Sequence, residues 1–256
     1  MCIRDRAKAA RNRGASVRCG TRVEEIEPMP DGRWKVVLSD SSVIAEHVVV
    51  ANSFWARELL APLDINVPVF PLEHHELITE SIPEIEQLGF ELPVIRDPVT
   101  PANFRQEGNG ILCGVYESEP VAWGVDGIPR DYSGELLPNK IEILDSHLPR
   151  LFDRIPVFAK AGLKTVFNGL ICYTPDGCPL LGPVKGFHGL WLATGFCIGI
   201  GTGGGSGDFL VNWIVNGAPP YDLPAVLPDR FPHNLTSSEI VKSIIDTYAR
   251  GYALHE

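Results

Sequence analysis

Across residues 33–52, "RWKVVLSDSSVIAEHVVVAN", polar positions interleave with apolar ones and then give way to three consecutive valines. This is the pattern of a hairpin followed by a strand covered on both faces, here Val48 to Ala51. Pro30-Asp31-Gly32 supplies the turn before it. Upstream, Ile3 to Arg13 reads as the end of a helix stopped by Gly14, and residues 16–27 as extended chain with Val17, Val23 and Ile26 apolar.

From Pro62 to about Leu170 the texture changes to short β-rich runs such as "PLEHHELITE" and "GILCGVY", broken by prolines and by one helical segment, Lys140 to Phe152. These predict a mostly antiparallel sheet set into the first domain. "GLWLATGF" then returns to a buried strand. Asp208 to Val215 comes next as a helix with Phe209, Leu210, Trp213 and Ile214 on one face, ended by Asn216-Gly217. The tail carries a capping box, Thr236 to Glu239, ahead of Ile240, Val241, Ile244, Ile245 and Tyr248 at helical spacing.

Composition narrows the classes. A chain of 256 residues that is 45% hydrophobic and 21% charged can bury a sizeable core. With 22 basic against 32 acidic side chains, the net charge of −10 argues against nucleic acid or an anionic membrane as the partner and for a small-molecule site. The six cysteines show neither metal-ligand spacing nor a disulfide framework, so no metal is expected. No apolar stretch reaches the roughly 18 residues of a membrane span, and the basic opening lacks a secretory core. A cytoplasmic location is expected, or the mitochondrial matrix in a eukaryote.

Gly199-Ile-Gly201-Thr-Gly203-Gly204 satisfies G-x-G-x-x-G. A nicotinamide dinucleotide fold would need a parallel strand after the helix, with an acidic residue such as Asp222 at its end. The segment in that place is "GAPPYDLPAVLPDRFP", too rich in proline for a buried strand. The glycines still permit close approach of a flat or anionic ligand, with a helix starting near Gly207 pointing free N–H groups at it. A glycine-rich packing contact without a ligand is the alternative.

Several segments together are more specific. "TPDGCPLLGP", then "FHGLWLATGFCIGIGTGGGSGDFLVNWIVNGAPPYDL" and "DRF", with "VVVANSFWARELL", "PLEHHELITE", "PVIRD" and "FRQEGNGILCGVYE" upstream, resemble in order the amine-oxidising flavoproteins of the D-amino-acid oxidase superfamily. The likeness is strongest to its dimethylglycine- and sarcosine-oxidising branch. It implies an α/β (α+β) fold: a partial FAD-binding Rossmann-like domain with an inserted, mostly antiparallel substrate-domain sheet. The expected division is residues 1–61 and 171–231 for FAD, 62–170 for substrate, and 232–256 as a linker toward a folate-binding domain in multidomain relatives. The family's pyrophosphate-binding βαβ unit has no counterpart before residue 7, so the chain is expected to be the C-terminal part of the oxidase domain, unable to hold FAD alone.

The resemblance also assigns residues. FAD is the implied cofactor, contacted by Val23 at the adenine, by Ala51 and Trp55 along the dinucleotide, and by Asp176, Gly177 and Pro179 in a turn over the ring. Gly195 belongs to the same set, and the N–H groups of Ile198, Gly199 and Ile200 lie at the ring edge where charge develops on reduction. His74 is the implied catalytic residue. Asn103 stands where relatives carry an aromatic hydroxyl, and Arg96 and Arg105 are candidate clamps for the substrate carboxylate, although a surface salt bridge is the commoner use of either. The implied reaction is hydride transfer from a secondary or tertiary amine to flavin, with an electron-transfer flavoprotein or oxygen as acceptor. One branch of the same superfamily serves as a non-catalytic regulatory subunit of a pyruvate dehydrogenase phosphatase, and Asn103 keeps that reading open.

Overall fold

The computed structural model describes residues 3–251. Residues 1–2 and 252–256, the latter the end of the segment likened to an interdomain linker, lie outside it. The described elements are α1 (Ile3–Arg11), β1 (Val23–Pro28), β2 (Trp34–Leu38), β3 (Ser42–Ala45), β4 (Val48–Val50), α2 (Ala56–Leu60), β5 (Phe70–Thr79) and α3 (Pro83–Glu86). Then come β6 (Ile95–Asp97), β7 (Ala102–Glu107), β8 (Gly110–Val115), α4 (Leu148–Arg154), β9 (Leu163–Tyr173), β10 (Leu180–Pro183), β11 (Leu190–Thr194), α5 (Gly199–Asn216) and α6 (Ser237–Gly251).

Three sheets organise these elements. β1-β2-β3 is an antiparallel meander. In the sheet ordered β10-β11-β4, β11 runs parallel to β4 although more than a hundred residues separate them, so the large sheet, which ends with β9, is inserted between β4 and β10 of one layer. That insertion is the five-stranded sheet β6-β7-β8-β5-β9, antiparallel throughout. A mixed α/β fold with a mostly antiparallel inserted sheet results from this pairing.

Alternation along β5 and β7 splits the large sheet into two faces. Leu77 on β5 and Ala102 and Phe104 on β7 point into a core closed by α3 and α4, with Leu144, Leu151 and Phe158. His74 and Glu76 on β5 and Asn103 and Arg105 on β7 point the other way. At one end of this sheet α6 buries Ile240, Ile244 and Tyr248 against Phe70, Leu72, Tyr116 and Tyr173. The capping box forms, with the Thr236 N–H donating to Glu239 Oε2 at 2.8 Å and the Glu239 N–H to Thr236 Oγ1 at 3.3 Å. Between the small sheets, Ile26, Trp34, Val50, Leu60, Leu190 and Leu192 form a separate core.

Two expectations are corrected. The helix placed at Asp208 to Val215 with a start near Gly207 begins eight residues earlier, at Gly199, and takes in six glycines. Glycine costs a helix about 1 kcal/mol relative to alanine, so propensity argues against this start. Burial of Phe209 and Leu210 against Leu181 and Trp191 of the β10–β11 layer anchors the second half of the helix, and its packing outweighs propensity in the first. The single helix expected over Lys140 to Phe152 is instead a 3-10 turn, Ile141–Leu144, and the later α4. Pro149 has no N–H to give and its ring collides with the carbonyl four residues back, so it sits in the first turn of a new helix rather than inside one.

Candidate active site

Three groups of predicted residues come together at three places. The first is a cleft of about 960 Å³ between β1, β4, α2 and residues 128–133, lined by Val23, Ala51, Asn52, Trp55, Ile128 and Tyr132 among others. Val23 shares this wall with Ala51 and Trp55, nearly thirty residues on. Trp55 stacks on Tyr132, with ring centroids 6.0 Å apart and planes 26° from parallel. Arg22 reaches over the rim to donate to the Arg130 carbonyl at 2.7 Å, and both guanidinium groups border the cleft. The Asn52 Oδ1 atom beside them is buried and has no hydrogen-bond partner. The rim also carries Glu24, paired with Arg130 at 2.6 Å, and Glu58 and Asp131, so the orphaned acceptor in this cleft fits a ligand with donor groups.

The second place is the turn Thr174 to Cys178 and the start of α5. Asp176 is a lock for this turn: its Oδ1 accepts from the Cys178 N–H at 3.0 Å and from Thr174 Oγ1 at 3.1 Å. Arg230 grips the same carboxylate through Nε at 2.8 Å and Nη2 at 2.9 Å while donating to the Cys178 and Pro179 carbonyls. Burial raises the Asp176 carboxyl, but the Arg230 bonds, the Cys178 N–H and the Thr174 hydroxyl together bring it below the usual carboxylate range. Gly177 sits in the left-handed region at φ 76°, facing Thr247 of α6. The Thr247 hydroxyl donates to the Pro175 carbonyl at 2.6 Å, so α6 holds the turn from outside.

After β11 the chain turns at Gly195 and enters α5 at Ile198, which makes no side-chain cap. The first-turn N–H groups therefore have no side-chain acceptor. Ile198 and Ile200 beside them are 62% and 81% exposed. Bare N–H groups flanked by exposed isoleucines suit a flat ring with an anionic polar edge. Ile198, Gly199 and Ile200 thus share one surface, and Asp176, Gly177 and Pro179 share the locked turn.

The third place is the open face of the large sheet. The register sets Asn103 opposite Gly114, and Gly114 opposite Glu76. A β-carbon on Gly114 would stand 3.0 Å from Asn103 Nδ2 and 3.3 Å from His74 Nε2, so these two side chains converge over the glycine. His74 also borders a cleft of about 330 Å³ with Glu76, Leu136 and Phe167. Its Nδ1 is 2.7 Å from the Tyr248 hydroxyl. Burial, with some help from His75 and against the pull of Glu117, holds its pKa down at about 4, so the ring is neutral near pH 7.

Arg105 lies on this face but ion-pairs with the exposed Glu107, while Arg96, opposite Asn103, donates to the Gly251 carbonyl at the end of α6. Neither arginine is aimed at His74 by these bonds. Burial raises the Glu76 carboxyl, with Arg105 opposing.

Sequence reasoning missed Glu117, Tyr248 and Arg230. Tyr248 passed as one more apolar position of the tail helix. A tyrosine on a buried stripe needs a partner for its hydroxyl, and that is the signal that could have found it. Among the described residues no cluster of His, Cys, Asp or Glu is placed to hold a metal, and no helix is long and apolar enough to cross a membrane.

The family described as FAD dependent oxidoreductase matches residues 4–213. Dimethylglycine dehydrogenase of Mus musculus is 39% identical over 88% of this chain and 26% of its own length. Human sarcosine dehydrogenase is 29% identical over 97% of this chain and 27% of its own. The chain therefore spans about a quarter of the length of these relatives. Among solved structures, L-proline dehydrogenase from P. horikoshii superposes with a TM-score of 0.73 at 21% identity, covering 88% of this chain and 57% of that one, which shows the fold.

Proposed function

The chain belongs to the FAD dependent oxidoreductase family, and from that membership we propose that the protein oxidises an N-methylated, glycine-like amine at a carbon beside its nitrogen. The observation that carries the reading is the neutral His74 ring converging with Asn103 over Gly114 on an otherwise open sheet face. The names of the relatives supply the substrate class. Three features fit FAD: the cleft with its orphaned Asn52 acceptor, the Arg230-locked turn, and the uncapped start of α5. Bound there, FAD supplies a two-electron acceptor for the hydride that leaves the substrate carbon.

The chain's own residues do the rest. A substrate amine arrives protonated near pH 7, and an ammonium nitrogen has no lone pair to push a hydride off its neighbouring carbon. His74 Nε2 is the acceptor placed to take that proton; burial, which holds its pKa at about 4, makes the transfer to imidazolium uphill, and departure of the hydride from the free amine draws it forward. Asn103 orients the substrate from across Gly114. The first-turn N–H groups of Gly199 and Ile200, with the α5 dipole behind them, would hold the polar edge of the FAD ring and favour negative charge there.

Replacing His74 by alanine in the full-length protein tests this. Turnover of dimethylglycine and sarcosine is expected to fall by about 100-fold, the usual lower range for a positioned base, with FAD content unchanged. Unaltered steady-state kinetics with both amines would remove His74 from the site.

A further inference from the structure

His74 does not stand alone. Its Nδ1 meets the hydroxyl of Tyr248, a residue with no solvent-accessible surface, and that hydroxyl also meets Glu117 Oε2. The second Glu117 oxygen is 3.2 Å from His75 Nδ1. We propose that Glu117 and Tyr248 are positioning residues: the carboxylate, acting through the tyrosine hydroxyl, fixes His74 in the tautomer protonated on Nδ1 and leaves the Nε2 lone pair on the substrate side of the sheet. The inference rests on His74 being the proton acceptor described above.

Proton counting leads to this assignment. Bonds from His75 and Tyr248 outweigh burial and keep the Glu117 carboxyl below its usual range, so it is ionised and accepts only. The Tyr248 hydroxyl has one proton, and burial beside Glu117 holds its pKa well above that of free tyrosine. If that proton went to His74, two oxygens carrying negative charge density would face each other at Glu117 with nothing between them. The proton therefore lies toward Glu117, the tyrosine oxygen accepts, and His74 Nδ1 must donate to it. The carbonyl of Val115, 3.4 Å from the same hydroxyl, is the weaker acceptor. Nε2 is then the unprotonated nitrogen, and it is the one that faces Gly114 and Asn103.

The same wiring serves the next step. When Nε2 takes the substrate proton, Nδ1–H already points through Tyr248 at a carboxylate, which offsets part of the burial that disfavours imidazolium, without any side chain moving. The groups around His74 are His75 and Glu76 from its own strand, Tyr116 and Glu117 following β8, and Tyr248 from α6. Glu117 also acts on His147, at the start of α4. Glu117 raises the His74 pKa, and burial and His75 oppose it.

The test uses the full-length, FAD-loaded protein. Long-range proton–nitrogen NMR of histidine side chains, with the His74 signals assigned by their loss in His74→Gln, reports which ring nitrogen carries the proton. The wild type is expected to be protonated on Nδ1 at pH 7, and protonation on Nε2 overturns the proposal whatever the variants do. Tyr248→Phe is expected to shift His74 toward the Nε2–H form and to slow flavin reduction by dimethylglycine about 100-fold, with FAD content and substrate affinity kept. Glu117→Gln should slow it likewise and move the acid limb of the rate profile to lower pH, with partial recovery in Glu117→Asp. If Tyr248→Phe loses its FAD, the Glu117 pair decides. Wild-type rate and tautomer in the variants sink the relay alone, whereas a wild-type rate in His74→Gln sinks the reading of the site beneath it.

Discussion

Gly195 and Thr174 stand so close that a β-carbon on the glycine would lie 2.6 Å from Thr174 Cγ2. The contact joins the strand leading into α5 to the turn that Asp176 and Arg230 lock, and Gly195 also has a positive φ of 75°. Gly195→Ala therefore meets both a clash and backbone strain, and it is expected to cost about 2–3 kcal/mol. Urea unfolding measures this, and a change below about 0.5 kcal/mol would show that the turn yields freely.

Gly199 behaves differently. An added β-carbon there meets only Phe196 Cβ at an ordinary 3.5 Å, so packing does not require glycine. Gly199→Val is expected to leave apoprotein stability within about 0.5 kcal/mol and to weaken FAD at least tenfold, about 1.4 kcal/mol, because a branched side chain crowds the N–H groups at the helix start. Fluorescence titration with FAD settles it. Wild-type affinity would mean that the glycine does not serve the cofactor.

Arg230 holds the turn with a guanidinium only 12% exposed. Arg230→Met leaves Asp176 and the Cys178 and Pro179 carbonyls without their donor, a loss of about 2–3 kcal/mol. Because the folded Asp176 carboxyl lies below its unfolded range, the pair's contribution is complete above the ordinary aspartate value of 3.8 and fades as pH falls through the folded value. The gap between wild type and variant should therefore narrow in strong acid to the part carried by the bonds to the carbonyls, and a constant gap down to about pH 2 would contradict the ion pair.

A second pH dependence has the opposite origin. His74 has a folded pKa of about 4 against 6.5 in the free side chain, so the folded state binds fewer protons between those values. Stability is complete above pH 6.5 and declines as pH falls toward 4, by on the order of 3 kcal/mol from this residue. His74→Gln should flatten the decline between about pH 6.5 and 4.5 in thermal unfolding. An unchanged slope would place the titration elsewhere.

What was legible in the sequence depends on the range over which each signal acts. Leu190 to Thr194 announced itself as an apolar run because a strand covered on both faces is apolar throughout, whereas Val48 to Val50, read the same way, leaves Val49 42% exposed and is covered on one face. Val23, Ala51 and Trp55 were named from resemblance, and the parallel pairing of β4 with β11 builds the layer beside which their cleft forms. The start of α5 was missed because six glycines read as loop by propensity, while the packing of Phe209 and Leu210 that decides the matter is non-local. Glu117 and Tyr248 were missed for a related reason. One comes just after an apolar strand and the other lies on the buried stripe of a tail helix 131 residues later, and only the docking of α6 on β5 makes them neighbours.

The central claim is that these residues serve an FAD-dependent amine oxidation, and anaerobic titration of the purified full-length protein with dimethylglycine tests it most directly. The account predicts a protein yellow with bound FAD whose visible absorption bleaches as the amine is added, with sarcosine acting likewise. A protein that purifies without flavin, or holds FAD that neither amine reduces, would contradict it.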